Sequence, residues 1–358
     1  MDSTNSVKNA SLLDAKASSF ATSRQTSDWI LVEEGNMKGA NIIVDNETSE
    51  VVQLSTRECK DEDRWTIMPS LEAYPSLQSV DLDNSRYIAK LHESITSLSK
   101  LRKLFLTRCV GLERLPASLG RLQNLQELHL TDSPSICELP DSIGDLKNLR
   151  KLVFNGSSGH HNKGLQELPE SLARLENVEE VVLDKCKALE SLPSGMGNLK
   201  KLTKLSLREL KSLTELPESI GECHALVELN LLKCIALKRL PASIGHLSLL
   251  EDLCLGKCKS LEALPTELAN CKKLALLNVS DCVNLESIPD SFVELTNIRE
   301  LDCSGCSALK TVPLAIVDLP KLIVCDFTGC SQLGDDVALR TDHLQRSRKR
   351  RTSVETWT

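Results

Sequence analysis

Leucine and its apolar substitutes recur along this chain at a nearly constant spacing. Successive units begin 24 residues apart, except for one step of 29 residues between Leu149 and Val178. The consensus unit is L-x-x-L-x-L-x-x-C-x-x-L-x-x-L-P-x-S-I-G-x-L-x-x, and residues 226–249 are a clear copy. Units start at Leu77, Leu101, Leu125, Leu149, Val178, Leu202, Leu226, Leu250, Leu274, Ile298 and Leu322. Such a period indicates a protein of stacked repeats.

The positions within one unit predict its local structure. The L-x-L alternation has the period of two that sends both leucines to one side of a short β-strand, so the third and fifth positions point to the other side. The proline suits the first turn of a short helix or 3₁₀ segment, because its missing N–H is not needed there. Strands of successive units should pair in parallel, about 4.8 Å apart. The pattern therefore predicts an α/β solenoid whose parallel sheet lines the concave face.

The repeat resembles the leucine-rich repeat (LRR) family in its cysteine-containing LPxSIG form. It is similar to the LRR regions of plant nucleotide-binding disease-resistance receptors and to plant intracellular Ras-group LRR scaffolds. The resemblance covers residues 77 to about 333, and it does not extend to nucleotide binding, because the chain has no G-x-x-x-x-G-K-[ST] motif. It implies a curved LRR solenoid that recognises other proteins.

The chain on either side of the repeats predicts further segments. Residues 1–27 are rich in small polar residues, and we expect them to be disordered. Three β-like runs in residues 28–76 predict a β-rich N-terminal cap that merges into a degenerate first repeat. Residues 77–333 then hold ten complete repeats of 24–29 residues and a broken terminal one, and residues 334–358 form a tail with a basic cluster. Repeat arrays need such caps to cover the ends of their core.

Composition and charge exclude several classes of protein. No run approaches the roughly 18 apolar residues of a membrane span. The net charge of −7 argues against general nucleic-acid binding, which needs a basic footprint. Because no secretory signal is visible, the 14 cysteines predict reduced thiols in the cytosol or nucleus rather than disulfides. Cys303-Ser-Gly-Cys306 resembles a metal motif, but the repeat register explains these cysteines as core residues, so we expect no metal.

The concave face is where the repeats differ from one another. The third position alternates in charge from Lys103 to Glu228, so those charges can satisfy each other across strands. The fifth position carries an apolar group in the N-terminal half, which is typical of an interaction site when basic residues lie beside it. The predicted partner-binding residues are Arg102, Lys103, Phe105, Arg108, His129, Arg150, Lys151, Val153 and Val182.

Two further features have both a structural and a functional interpretation. The insertion at residues 156–164 contains His160 and His161, and it is either a tolerated surface loop or a rim loop that contacts a partner. The basic tail run at residues 346–351 is either solvated or a nuclear-import or acidic-surface signal. Ser353 follows two arginines and resembles a basophilic-kinase phosphosite.

These observations together predict non-catalytic protein recognition. No nucleophile elbow, H-E-x-x-H or kinase signature occurs, so we expect no enzyme activity and no cofactor. The first hypothesis is a monomeric signalling or immune-type adaptor or scaffold that binds another protein in the cytoplasm, or in the nucleus through its basic tail. The alternative is the recognition arm of an enzyme system, as a ubiquitin-ligase substrate adaptor or a receptor fragment.

Overall fold

The computed structural model describes residues 30–31, 40–45, 47–56, 70–156 and 165–334. These residues fall into two compact units that divide between Val178 and Glu179, and each unit is described by itself. Both units repeat one coil, in which a three-residue strand is followed by turns and then by a 3₁₀ segment.

The N-terminal unit contains seven of the described strands. They are β1 (Ile30–Leu31), β2 (Asn41–Val44), β3 (Val51–Ser55), β4 (Ser79–Asp81), β5 (Lys103–Phe105), β6 (Glu127–His129) and β7 (Lys151–Val153). β1, β2 and β3 pair antiparallel in succession, whereas β3 to β7 pair in parallel. The 3₁₀ segments of this unit are Glu93–Ser97, Leu119–Arg121, Asp141–Asp145 and Glu170–Arg174. An antiparallel hairpin therefore precedes the parallel ladder of repeats.

The C-terminal unit is a parallel ladder among its described residues. Its strands are β8 (Glu180–Val182), β9 (Lys204–Ser206), β10 (Glu228–Asn230), β11 (Asp252–Cys254), β12 (Leu276–Asn278), β13 (Glu300–Asp302) and β14 (Val324–Asp326). Each pairs in register with the next, so that equivalent repeat positions lie side by side. The 3₁₀ segments are Met196–Asn198, Glu218–Glu222, Ala242–His246, Thr266–Asn270, Asp290–Glu294 and Leu314–Asp318.

The leucines of the repeat form the core of each coil. Leu229 and Leu231 flank one residue in β10, and both are fully buried. The proline of the motif sets the back half of the coil, because the N–H of Ile244 donates to the Pro241 carbonyl at 3.1 Å and opens a 3₁₀ turn. The same turn recurs along both units, as the L-P spacing predicts.

The glycine of the S-I-G motif is explained by the close approach of neighbouring coils. A Cβ atom built on Gly221 would lie 2.6 Å from Ser243 Cβ and 2.8 Å from the Ser243 carbonyl carbon. A Cβ on Gly197 would meet Glu222 Cβ at 2.8 Å. These separations are far below van der Waals contact, so glycine permits the observed packing of one 3₁₀ segment on the next.

The cysteine of the consensus satisfies a backbone acceptor inside the core. The thiol of Cys234 donates to the carbonyl of Leu207, the sixth residue of the preceding coil, at 3.0 Å, and Cys282 bonds Leu255 at 3.1 Å in the same way. Where serine replaces cysteine, Ser133 Oγ donates to Leu106 at 2.7 Å. The thirteen described cysteines are free thiols, and all but one are buried. Burial raises the pKa of Cys234 and Cys282 to about 12, which keeps these thiols protonated as donors.

Candidate protein-recognition surface

The third and fifth positions of the strands in the N-terminal unit form one side of its sheet, which we call the sheet face. The opposite charges at the third position meet across neighbouring strands. Lys103 Nζ lies 2.8 Å from Glu127 Oε1, and β5 pairs with β6 in the register that places these residues opposite each other. This ion pair fixes both side chains at the centre of the face.

An aromatic pair lies beside this ion pair. The rings of Phe105 and His129 are 4.7 Å apart between centroids and are inclined by 33°. His129 Nε2 lies 3.4 Å from Glu127 Oε2, so one carboxylate contacts both the lysine and the imidazole. Desolvation opposes the charge of Glu127, but the hydrogen bond and charge of Lys103, together with His129, outweigh it and lower the pKa of Glu127. Phe105, His129, Lys103 and Glu127 therefore form one cluster of contacting side chains.

Two arginines border this cluster at the second repeat position. Arg102 and Arg150 are both exposed and precede β5 and β7. Among the described residues, Arg102 has no hydrogen bond or ion pair to its side chain. Its guanidinium can therefore bind a carboxylate on another molecule without first breaking an internal bond.

Arg108, which the sequence predicts as a partner contact, already forms an ion pair within the unit. Its guanidinium forms two bonds to Asp83, with Nη2 3.1 Å from Oδ2 and Nε 3.3 Å from Oδ1. The Asp83 side chain is only 2% exposed. The hydrogen bond and the charge of Asp83 raise the pKa of Arg108, whose role is to compensate a buried carboxylate.

The structure corrects the prediction of an exposed apolar patch that includes valine. Val153 is 8% exposed and Val182 is 9% exposed. Val182 lies in the C-terminal unit, where Ser206 and Asn230 at the same repeat position are buried as well. Val153 therefore offers a partner little apolar surface. The sheet face thus keeps Phe105 and His129 as its partly exposed ring surface.

The eighth repeat position has a property that the sequence interpretation missed. Arg108, Asp132, Lys233 and Asp281 all have positive φ, between 55° and 62°. Gly305 has φ 73° at the same position. The sequence carried a signal for this conformation, because glycine, asparagine and aspartate, which tolerate it best, recur at the eighth position. The strand therefore ends in a left-handed turn that directs the eighth side chain to the edge of the sheet.

The comparisons with known proteins can now be set beside this geometry. Residues 61–188 match the family model described as a leucine-rich repeat region. The described residues have the fold of a leucine-rich repeat. No curated protein matches it. The predicted fold class, a leucine-rich-repeat solenoid with a parallel sheet, is confirmed.

Three solved structures illustrate the likeness of fold. The leucine-rich repeat domain of the type III effector XopL is 27% identical with a TM-score of 0.54, over 64% of this chain and 75% of that domain. An internalin from Listeria monocytogenes is 14% identical with a TM-score of 0.53, over 88% and 94% of the two chains. The Arabidopsis receptor kinase HAESA, solved with a peptide hormone and a co-receptor, is 20% identical with a TM-score of 0.52, over 91% of this chain and 59% of that one.

Several predicted features lie outside the described residues. They are His160 and His161 of the insertion, and Ser353 and the basic run of the tail. Within the described ranges, no cluster of three or more histidine, cysteine or acidic side chains could hold a metal ion. No helix in those ranges is long and apolar enough to cross a membrane.

Proposed function

We propose that the sheet face of the N-terminal unit binds another protein without catalysis. The observation that supports this most directly is the Phe105–His129 pair, bordered by Arg102 and Arg150. Repeat solenoids present extended surfaces to partners. Aromatic residues and arginine are the side chains that most often dominate the energy of protein interfaces.

The chemistry of the cluster favours a partner that combines an apolar and an acidic group. The half-buried rings can cover an apolar side chain at small entropic cost, because each ring has only two torsions to fix. Arg102 and Arg150 can each bind a carboxylate in a bidentate manner. Lys103 and Glu127 already bond each other, so they orient the rings more than they recruit the partner.

The role we infer is that of an adaptor or scaffold in a signalling or immune-type pathway, acting in the cytosol or the nucleus. A cysteine thiol recurs as a hydrogen-bond donor in the core of several repeats, from Cys109 to Cys330. This use of free thiols supports a location in a compartment that keeps thiols reduced. The resemblance to plant LRR receptors and Ras-group scaffolds supports the same role. The alternative, a recognition arm of an enzyme system, would use the same surface but would capture a ligase core or receptor component.

The proposal is tested by affinity capture with variants of the sheet face. The double substitution Phe105→Ala with Arg150→Glu removes the ring and reverses one bordering charge. We expect this variant to lose the partner that the wild-type chain captures, while its thermal unfolding stays nearly unchanged. The identity of the captured protein separates a scaffold from a ligase adaptor.

A matched control makes the same chemical changes away from the sheet face. Tyr87 is 57% exposed and Arg121 lies in an exposed position on a 3₁₀ segment of the same unit. Tyr87→Ala with Arg121→Glu should leave capture intact. If the control loses the partner and the Phe105 variant retains it, the binding surface lies elsewhere on the unit.

A further inference from the structure

The sheet of the C-terminal unit carries an unbalanced acidic surface. Glu251, just before β11, Asp252 in β11 and Glu300 in β13 have no ion pair among the described residues, whereas Glu228 bonds Lys204 at 2.9 Å. The nearby cations at the eighth position are already engaged, Lys233 with Glu209 at 3.2 Å and Lys257 with Asp281 at 3.8 Å. Arg299, next to Glu300, is the cation that remains at the start of these strands. We call Glu251, Asp252 and Glu300 the acidic face.

The acidic face departs from the charge alternation of the rest of the sheet. In the register of β10 and β11, Glu228 stands directly opposite Asp252, so two carboxylates are neighbours where other strands pair a lysine with a glutamate. Desolvation, followed by the charges of Glu228, Glu251 and Glu300, raises the pKa of Asp252. Like charges placed opposite each other destabilise a sheet, and an external cation would remove this cost.

Apolar side chains lie among these carboxylates. Leu276 occupies the third position between Asp252 and Glu300 in the strand register and is half-buried. Ile323, just before β14, is 39% exposed. A segment that carries several cations and some apolar side chains would complement this surface better than a single metal ion would.

The chain itself supplies a segment of that chemistry. Arg346, Arg348, Lys349, Arg350 and Arg351 follow Gly334, the last described residue, after Leu339 and Leu344. The twelve residues from Gly334 to Arg346 can span about 40 Å when extended. The distance from β14 to β11 is three strand spacings, or about 14 Å. The linker is therefore long enough to bring the basic run to the acidic face. Because the linker is short, the run has a high effective concentration there.

We propose that the basic run at residues 346–351 docks on the acidic face of the same chain. Its cations balance Glu251, Asp252 and Glu300, and the apolar part of the segment covers Leu276 and Ile323. While it is docked, the run cannot bind any other acidic partner. The proposal goes beyond the recognition surface of the N-terminal unit and does not depend on it.

The test is limited trypsin digestion of the full chain, with cleavage inside residues 346–351 followed by mass spectrometry. Docking protects these bonds at low ionic strength. We expect Asp252→Lys with Glu300→Lys to raise the cleavage rate about fivefold, the size expected when two or three exposed ion pairs act together. About 0.5 M salt should raise the wild-type rate similarly, because screening weakens such pairs. The neutral pair Asp252→Asn with Glu300→Gln should give a smaller increase and serves if the charge reversal unfolds the unit.

The matched control reverses two acids on 3₁₀ segments of the same unit. Glu267→Lys with Asp290→Lys changes the net charge equally, and both residues are exposed. It should leave the cleavage rate unchanged. A wild-type tail that is cut as fast as a free peptide of residues 335–358 would overturn the proposal. So would protection that increases with protein concentration, which would assign the face to the tail of a second copy.

Discussion

The ion pair between Arg108 and the buried Asp83 makes a prediction about stability. The Arg108→Ala substitution removes the guanidinium but leaves an alanine with the same left-handed backbone, φ 56°, so the backbone cost is nearly unchanged. What changes is the environment of Asp83, whose carboxylate then stays buried without its cation. Any decrease in the free energy of unfolding of Arg108→Ala should therefore measure the contribution of the ion pair rather than that of the turn.

The magnitude follows from the geometry of the pair. Removing one partner of a fully buried ion pair costs about 3–5 kcal/mol, because the other charge stays uncompensated. The Arg108 side chain is 54% exposed, however, so water can reach the vacated position and solvate part of the Asp83 charge. Hydrogen bonds to charged groups contribute about 1.5–3 kcal/mol, and we expect a loss near 2 kcal/mol. With a urea slope of about 2 kcal/mol per molar, the unfolding midpoint should fall by roughly 1 M.

Urea unfolding followed by circular dichroism measures this loss. Arg102→Ala is the control, because the Arg102 side chain is exposed and bonds no described residue, so its substitution should cost less than about 0.5 kcal/mol. Asp83→Asn combined with Arg108→Ala should recover part of the loss, since no buried charge is then left unpaired. If Arg108→Ala and Arg102→Ala unfold at the same urea concentration, the ion pair does not stabilise this turn.

Three further predictions concern charge, packing and thiols. In a chain whose cations at residues 346–351 are replaced by glutamine, Asp252→Asn should raise the free energy of unfolding by about 0.5 kcal/mol at pH 7, because no tail cation then offsets the repulsion between carboxylates. The folded state raises the pKa of Asp252 above 3.8, so this carboxyl destabilises the fold only at a pH where it is ionised. The stability gained by Asp252→Asn should therefore vanish below about pH 3.8. Urea unfolding at pH 7 and at pH 3.5 tests this, and a gain that persists in acid would contradict it. Gly221→Ala should lower the free energy of unfolding by about 1–3 kcal/mol through overpacking. Gly334→Ala, which has open space around it, should leave thermal unfolding unchanged. Equal effects of the two variants would refute the explanation that close packing of neighbouring coils requires glycine at position 221. Thiol titration of the denatured chain should find all 14 cysteines free, and elemental analysis should find no zinc. One bound zinc per chain would disprove the assignment of cysteines such as Cys306 to the core.

The regular part of the fold was predictable from the sequence because each repeat position has one environment. The period of two in L-x-L fixed which side of the strand is buried, and Leu229 and Leu231 are fully buried as that period requires. The ninth position followed from the register alone, and the cysteines there are buried, as Cys234 shows. The division into cap, repeats and tail stays a prediction.

The candidate surface was harder to predict because exposure there depends on neighbours in other repeats. The pattern correctly placed Phe105 and His129 on one side of the sheet, but it could not show that Val153 on the next strand is covered. The ion pair of Arg108 was not predicted for a similar reason. Its partner Asp83 lies 25 residues earlier, and a one-dimensional pattern does not reveal which of several nearby charges a long side chain will reach.

The two proposals predict opposite responses to the same pair of variants, which allows each to fail alone. Phe105→Ala with Arg150→Glu alters only the sheet face of the N-terminal unit, so it should abolish partner capture and leave tail cleavage at the wild-type rate. Asp252→Lys with Glu300→Lys alters only the acidic face, so it should accelerate tail cleavage and leave capture intact. High salt is not a substitute for this comparison, since it weakens both an arginine–carboxylate contact and the docking of a basic run. If one variant changes both measurements while the urea midpoint is unchanged, the captured partner itself contacts the tail, and the two surfaces cannot be treated as independent.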